Sequence, residues 1–358
     1  MSVDVTTATS NVTSNFTSGN ISLPNITFTD SITQAYVTGS LQAVSVTFGA
    51  LNSFLAIVIN LLVLACILLD KELRNLTYFW NIISLCVANL LAGVTVIPLS
   101  TNIYHVGKWL HGDVICKAFI MTDYTQLPLA ATILICSLLH GFGEMITSPT
   151  SRVWYAIAKS NRLRYIVTAV PWGVAVICIG VLFAGEDIER QRQRPDDLCY
   201  FVLKDEFSVP SLIIMFIGPL FLMFIVAAIA LAAFMLRIRK LEPTHALRAS
   251  MLPPIIMSLT YWACWMPFAV LILRFYTCKC SSSRMFYVIS IIFTCAAPFL
   301  SALLSFTHPD IRRRARELWM GAWRLACSFV GDDGIIAVKW TSGDPHLIKA
   351  NDSVPADF

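Results

Sequence analysis

The sequence predicts an all-α membrane protein: a seven-transmembrane helix bundle followed by a short amphipathic helix on the membrane surface. Three observations predict it. The 358 residues are 56% hydrophobic and only 13% charged, whereas soluble domains carry about 25% charged residues. Seven runs of 21 to 30 residues contain a single charged side chain between them, and each exceeds the ~20 apolar residues an α-helix needs to cross ~30 Å of hydrocarbon. The basic residues, finally, are segregated to one set of connecting segments. A mostly disordered chain is excluded by the apolar content, and a net charge of +4 is too small to argue for nucleic acid as a partner.

The elements follow in order. Residues 1–42 form a polar tail rich in Ser, Thr and Asn, with glycosylation sequons at Asn11, Asn15, Asn20 and Asn25, which marks an extracellular segment. No apolar run lies near Met1, so the first span is expected to act as the targeting signal. The bundle occupies 43–308, with runs at 43–69, 75–104, 118–139, 165–185, 207–236, 249–273 and 285–307. Lipid offers no partner to a backbone N–H or C=O, so each run has to be a helix. Their apolarity on all sides argues against amphipathic surface helices. Of the 26 Lys and Arg residues, 17 fall on the side that includes Lys71 and the C-terminus. The positive-inside rule then puts the N-terminus outside and the C-terminus in the cytoplasm. Asn75 and Asn351 also stand in sequons, but on the cytoplasmic side, where they are expected to be unmodified. Pro128 in span three and Pro253-Pro254 in span six are expected to bend or loosen their helices.

After span seven, residues 309–327 set Arg312, Arg313, Arg314 and Arg316 against Leu318, Trp319, Trp323 and Leu325. This reads as a basic amphipathic helix on the inner membrane surface; a basic flank without a helix is the alternative. Residues 328–358 read as a flexible cytoplasmic tail. The chain has no repeat of 20–50 residues, and its loops leave no room for a soluble domain.

Eleven cysteines are present. Cys66, Cys86, Cys136, Cys178, Cys264 and Cys295 lie within spans and are expected to pack as small hydrophobes. Cys116 heads span three and Cys199 lies in the second outer loop. Both face an oxidising compartment, and a Cys116–Cys199 disulfide would pin that loop over the bundle mouth. Cys278 and Cys280 either pair in a strained ring or stay as thiols. Cys327, just past the amphipathic helix, is a candidate for palmitoylation.

An ordered set of residues on these spans resembles the rhodopsin-like (class A) G-protein-coupled receptors, over about residues 43–325. It comprises Asn60 in span one, Ser84-Leu85-Cys86-Val87-Ala88-Asn89-Leu90-Leu91 in span two, and Trp109-Leu110-His111-Gly112 seven residues ahead of Cys116 as counted from the Trp. It continues with Trp172, Pro219, Cys264-Trp265-Met266-Pro267 and Pro298. The departures concentrate in the inner half. The family's span-two Asp is Asn89, which puts its sodium pocket in doubt. His140-Gly141-Phe142 replaces the Asp-Arg-Tyr box. Ala297-Pro298-Phe299-Leu300-Ser301 replaces NPxxY, and Ala227 stands where a Tyr is usual. The resemblance therefore implies ligand binding more directly than conventional G-protein activation.

Asp123 is the one charged residue in the seven runs. A carboxylate at membrane depth costs about 2.5–3.5 kcal/mol on insertion scales and marks a wet or partnered interior position. It lies seven residues, about 10 Å, below Cys116, and no Lys or Arg in the other runs can neutralise it. A ligand cation can supply the missing charge; a protonated Asp123 hydrogen-bonded within the bundle is the other reading. The resemblance implies an amine-binding acid at this offset, with Tyr124, Ser211, Trp265, Phe268 and Tyr287 around it. Aromatic faces attract cations. For each aromatic, plain helix packing is the alternative, and Trp265 in particular suits a packing role beside the Pro267 kink. A kinked helix that pivots when the pocket fills supplies the two-state element that signalling needs.

Enzyme motifs such as HExxH, GxSxG and GxxxxGK[ST] are absent, the six His do not cluster as metal ligands, and neither a cofactor nor a metal is implied. Span seven has no Lys for a retinal Schiff base. The expectation is a plasma-membrane, multi-pass receptor for a small cationic amine or a basic peptide. Arg237, Arg239, Lys240 and Arg248 would face a heterotrimeric G protein or arrestin, with lipid around the bundle and no nucleic acid. The rivals are a non-signalling decoy or scavenging receptor and, from another class, a small transporter, which calls for repeated halves and further intramembrane charges.

Overall fold

A computed structural model describes residues 40–106, 108–147, 160–186, 199, 204–240, 245–278, 284–330, 337–341 and 344–348. The four N-terminal sequons lie outside them, and so do the side chains of Arg239, Lys240, Arg248, Tyr287 and Cys327. Every predicted run is helical. Span one is Ser40–Leu68. Span two runs from Thr77 to Leu91 and, after a wide turn, from Ile97 to Val106. Spans three and four are Gly112–Thr147 and Asn161–Ala184. Span five comprises Asp205–Leu212 and Gly218–Lys240 around a second wide turn. Spans six and seven are His245–Cys278 and Arg284–Ser305. Six of these helices are each long and apolar enough to cross a bilayer. The seventh meets the surface helix Pro309–Val330 at a 90° bend.

The helices close into a ring. Span one packs on two and seven, span six on five and seven, and span three sits inside against two, four, five and six. The outside of the ring is apolar: Phe54, Val94, Val176, Ile177 and Phe221 are each at least 60% exposed. The inside carries buried Asn52, Asn60, Asn81, Asn89, Ser258 and Ser301. That distribution suits a hydrocarbon solvent, where outward apolar surface has no cost and polar groups find partners inside.

Two features were not foreseen. Residues Ala92–Val96 and Ile213–Ile217 form π-turns, each ending two residues before a proline, Pro98 or Pro219. A proline removes one N–H and crowds the carbonyl four residues back, and a wider turn relieves both. In span five Gly218 permits this, because a Cβ there would lie 2.8 Å from the Ile213 carbonyl oxygen. Pro128, Pro253 and Pro254, expected to bend or loosen their helices, lie within unbroken helical ranges. Spans five and six also extend past their apolar runs, to Lys240 and from His245. Within the stretch read as a flexible tail, Ala337–Thr341 and Asp344–Ile348 pair as an antiparallel hairpin, Ala337 opposite Ile348. Val338, Trp340 and Thr341 favour a strand.

Candidate functional site

The end of the bundle that carries Cys116 is built on a turn and a disulfide. Gly112 adopts φ +73°, a conformation open to glycine at no steric cost. This lets Trp109 fold back, so that its indole N–H donates to the Gly112 carbonyl at 2.8 Å. The Trp109 ring packs against Phe119 at 5.5 Å. Just below, Cys116 is bonded to Cys199 with the Cα atoms 5.5 Å apart, which ties the second outer loop to the head of span three.

Two turns deeper, Asp123 is half-buried on span three. Its carboxylate is within electrostatic reach of Tyr261 on span six and Cys295 on span seven. Among the described residues it forms no hydrogen bond and no ion pair. Tyr261 stacks on Trp265 at 6.3 Å, one of four interlocking aromatic rings. Tyr124 meets Phe216 edge-on at 5.4 Å. Phe216 lies 5.8 Å from Phe268 and 6.3 Å from Trp265, and Trp265 meets Phe268 edge-on at 5.9 Å. Spans three, five and six thus converge on one aromatic wall.

Several buried polar atoms of spans three, five and six have no hydrogen-bond partner among the described residues: Gln126 Nε2, Ser211 Oγ, Ser258 Oγ, Tyr261 Oη and Trp265 Nε1. The Tyr261 hydroxyl faces Gln126 and Trp265 without adequate hydrogen-bond geometry to either. Each such group costs about 1–3 kcal/mol while it stays unpaired. An anion, an aromatic wall and unpaired donors in one place can receive a cation that also carries hydrogen-bonding groups.

Of the residues singled out from the sequence, Tyr124, Trp265 and Phe268 are brought together, with Asp123 adjacent. Ser211 is buried on span five, but no described contact joins it to the aromatic group. Phe216, Gln126 and Tyr261 were missed. Gln126 carried a signal, as a polar residue one turn below Asp123 in an apolar run; Phe216 looked like any lipid-facing phenylalanine. Two cavities, of about 520 and 230 Å³, lie elsewhere, the first between spans one and two, the second against Gln126 and Trp172. Asp123 lines neither.

The inner half is tied together by neutral groups. The Asn89 amide donates to Asn60 Oδ1 at 3.1 Å and to Ser301 Oγ at 2.9 Å. Asn60 donates to the Pro298 carbonyl at 3.2 Å. At the end of the bundle opposite Cys116, Tyr78 stacks on His308 at 5.5 Å and lies 6.0 Å from His140. Gly141 abuts span six so closely that a Cβ would meet Met251 Sδ at 2.7 Å and the Ser250 carbonyl at 3.1 Å. Arg237 is exposed at the inner end of span five. Among the described residues no group of three His, Cys, Asp or Glu side chains can hold a metal.

Comparison with known proteins agrees with this architecture. The family model of the 7 transmembrane receptors (rhodopsin family) matches residues 59–303. The chain is 28% identical over 129 residues to the "Probable G-protein coupled receptor No9" of Amphibalanus amphitrite, covering 36% of this chain and 26% of that protein. It is 24% identical over 166 residues to the "Dopamine D2-like receptor" of Drosophila melanogaster, covering 44% and 18%. It is 26% identical over 155 residues to the "Alpha-1A adrenergic receptor" of Oryzias latipes, covering 43% and 30%. The matched segments span less than a third of each relative's length. The family match, by contrast, covers more than half of this chain, which therefore belongs to the rhodopsin family of G-protein-coupled receptors, multi-pass plasma-membrane proteins that are receptors and not enzymes.

Proposed function

We propose that this receptor binds an extracellular cation, a small amine first and a basic peptide second, by pairing it with Asp123. The carrying observation is that the one carboxylate in the seven apolar runs lies within electrostatic reach of Tyr261, which stacks on the aromatic group of Trp265, Phe268, Phe216 and Tyr124, and forms no ion pair among the described residues. A ligand ammonium gains the charge pair and the aromatic faces together. Relatives named for dopamine and adrenergic recognition support the amine class. The disulfide at the head of span three supports an extracellular N-terminus, because that end of the bundle needs an oxidising compartment.

In this reading the ligand presses on Phe268 and Trp265, and span six pivots about Pro267. The inner ends of spans five and six then part, exposing Arg237, Arg239, Lys240 and Arg248 to a heterotrimeric G protein or to arrestin. A second reading is a decoy receptor that binds without signalling. It is favoured by the inner end of span three, where His140 packs near Tyr78 and Gly141 abuts span six in place of an Asp-Arg-Tyr box. The test is an amine and peptide screen on the wild type and Asp123→Ala, reading binding, cyclic nucleotide and calcium together. Binding lost in the variant supports the charge pair; unchanged affinity for every hit refutes it. Binding and uptake without any second messenger select the decoy.

A further inference from the structure

The bend between span seven and the surface helix turns on one histidine. His308 precedes Pro309, the first residue of the surface helix, and the two helices meet at 90°. A helix leaves its first N–H groups without partners of its own. Proline at the first position has no N–H to satisfy, so the first that needs an acceptor belongs to Asp310. It donates to His308 Nδ1 at 3.3 Å, while the Arg312 N–H donates to the His308 carbonyl at 3.1 Å. His308 is therefore the N-cap, with an imidazole nitrogen where a Ser or Asp oxygen is usual. Its ring is also wedged against span two. It is buried, stacks on Tyr78 at 5.5 Å and meets Phe79 edge-on at 5.0 Å. One side chain thus starts the surface helix and holds it to the bundle.

Titratable and charged groups surround this joint. On the surface helix the Asp310 carboxylate lies 3.8 Å from His308 Nδ1 and 3.6 Å from the Arg313 guanidinium, and Arg312 is exposed. Span two supplies the Tyr78 hydroxyl. On span three, His140 lies 6.0 Å from Tyr78, and Glu144 is within electrostatic reach of Tyr78. An accepting nitrogen must carry a lone pair, so the cap requires the neutral imidazole with its proton on Nε2. A proton on Nδ1 turns the acceptor into a donor that points at the Asp310 N–H. It also places a cation at the positive end of a helix, whose first turn already holds Arg312. The nearest relief is the Asp310 carboxylate, which Arg313 shares. Imidazole is the side chain whose charge ordinarily changes between about pH 5 and 8. The cap is therefore complete while the ring is neutral and is lost as the pH falls.

We propose that His308 is a proton-operated joint: neutral, it caps the surface helix and holds it to span two; protonated, it exchanges the cap for an ion pair with Asp310, frees Arg313 and loosens the first turn. The orientation proposed above makes the cytosol its compartment, and the chemistry is independent of ligand binding at Asp123. Hydrogen–deuterium exchange of the full-length receptor in lipid nanodiscs reads the joint at about pH 7.5 and about pH 5.5, on either side of imidazole titration, with labelling times scaled to equal intrinsic exchange. Relative to peptides over 316–323, those over 309–313 should exchange about fivefold faster at the lower pH, the loss of one hydrogen bond. His308→Asn keeps a capping oxygen without a titrating ring, and should hold the high-pH ratio throughout. Should that variant fail to fold, His308→Ser offers the same cap. In Asp310→Asn the transition should move to lower pH, because the protonated ring loses its carboxylate. A wild-type ratio that stays constant with pH would overturn the proposal. So would a pH response that survives the loss of the His308 ring, or one that His140→Asn alone abolishes.

Discussion

The Asn89 amide on span two donates to the Ser301 hydroxyl on span seven at 2.9 Å, and through the same nitrogen to Asn60 on span one. Three spans are therefore pinned by an uncharged hub at the place where related receptors carry an acid. Asn60 Oδ1 needs a donor, which a carboxylate cannot be. Asn89→Ala should cost about 1–3 kcal/mol, because its partners stay buried and unpaired. The wild-type thermal midpoint should be equal in NaCl and KCl, whereas Asn89→Asp should acquire a dependence on sodium.

Gly218 and Gly173 make a paired test of the π-turn in span five. A Cβ at 218 would meet a backbone oxygen at 2.8 Å, while at 173 it would meet nothing within 4 Å. Gly218→Ala should destabilise by about 1–3 kcal/mol through overpacking. Gly173→Ala should stabilise by about 0.5–1 kcal/mol, as glycine is a poor helix residue. Thermal midpoints of the two variants in one detergent decide it, and equal shifts would count against the wide turn.

The Cys116–Cys199 bond closes a loop of 83 residues. Its removal should cost about 2–5 kcal/mol. Cys116→Ser, Cys199→Ser and the double variant should lose the same amount, since all three break one bond. Surface expression and thermal midpoint measure this, and a double variant far worse than either single one would deny the pairing.

Topology gives a prediction of its own. Asn11, Asn15, Asn20 and Asn25 should carry glycans that a glycosidase removes, and Asn75 and Asn351 should carry none. Glycan mapping by mass spectrometry reads all six positions at once. A glycan on Asn75 would place the wrong end of the bundle outside and the pocket mouth with it.

How much of this was readable in the sequence follows from what each feature depends on. The spans depend on composition, and 178 residues with one charge between them allow no other structure in lipid. The disulfide depends on topology, and Trp109-Leu110-His111-Gly112 is a local turn whose glycine and indole act on each other. The surroundings of Asp123 were less accessible. Whether Tyr261 comes within its reach depends on helix rotation, which all-round apolar sequences leave unspecified. The wide turns before Pro98 and Pro219 were hidden because proline signals a disturbance without saying which kind.

The pairing at Asp123 is tested most directly by comparing one amine ligand with its neutral isostere on the wild type and on Asp123→Asn, which keeps the shape and removes the charge. A buried charge pair contributes about 2 kcal/mol or more, roughly 30-fold in Kd. The wild type should prefer the amine by at least that factor, and the variant should bind both compounds equally. An amine affinity unchanged in Asp123→Asn would contradict the account.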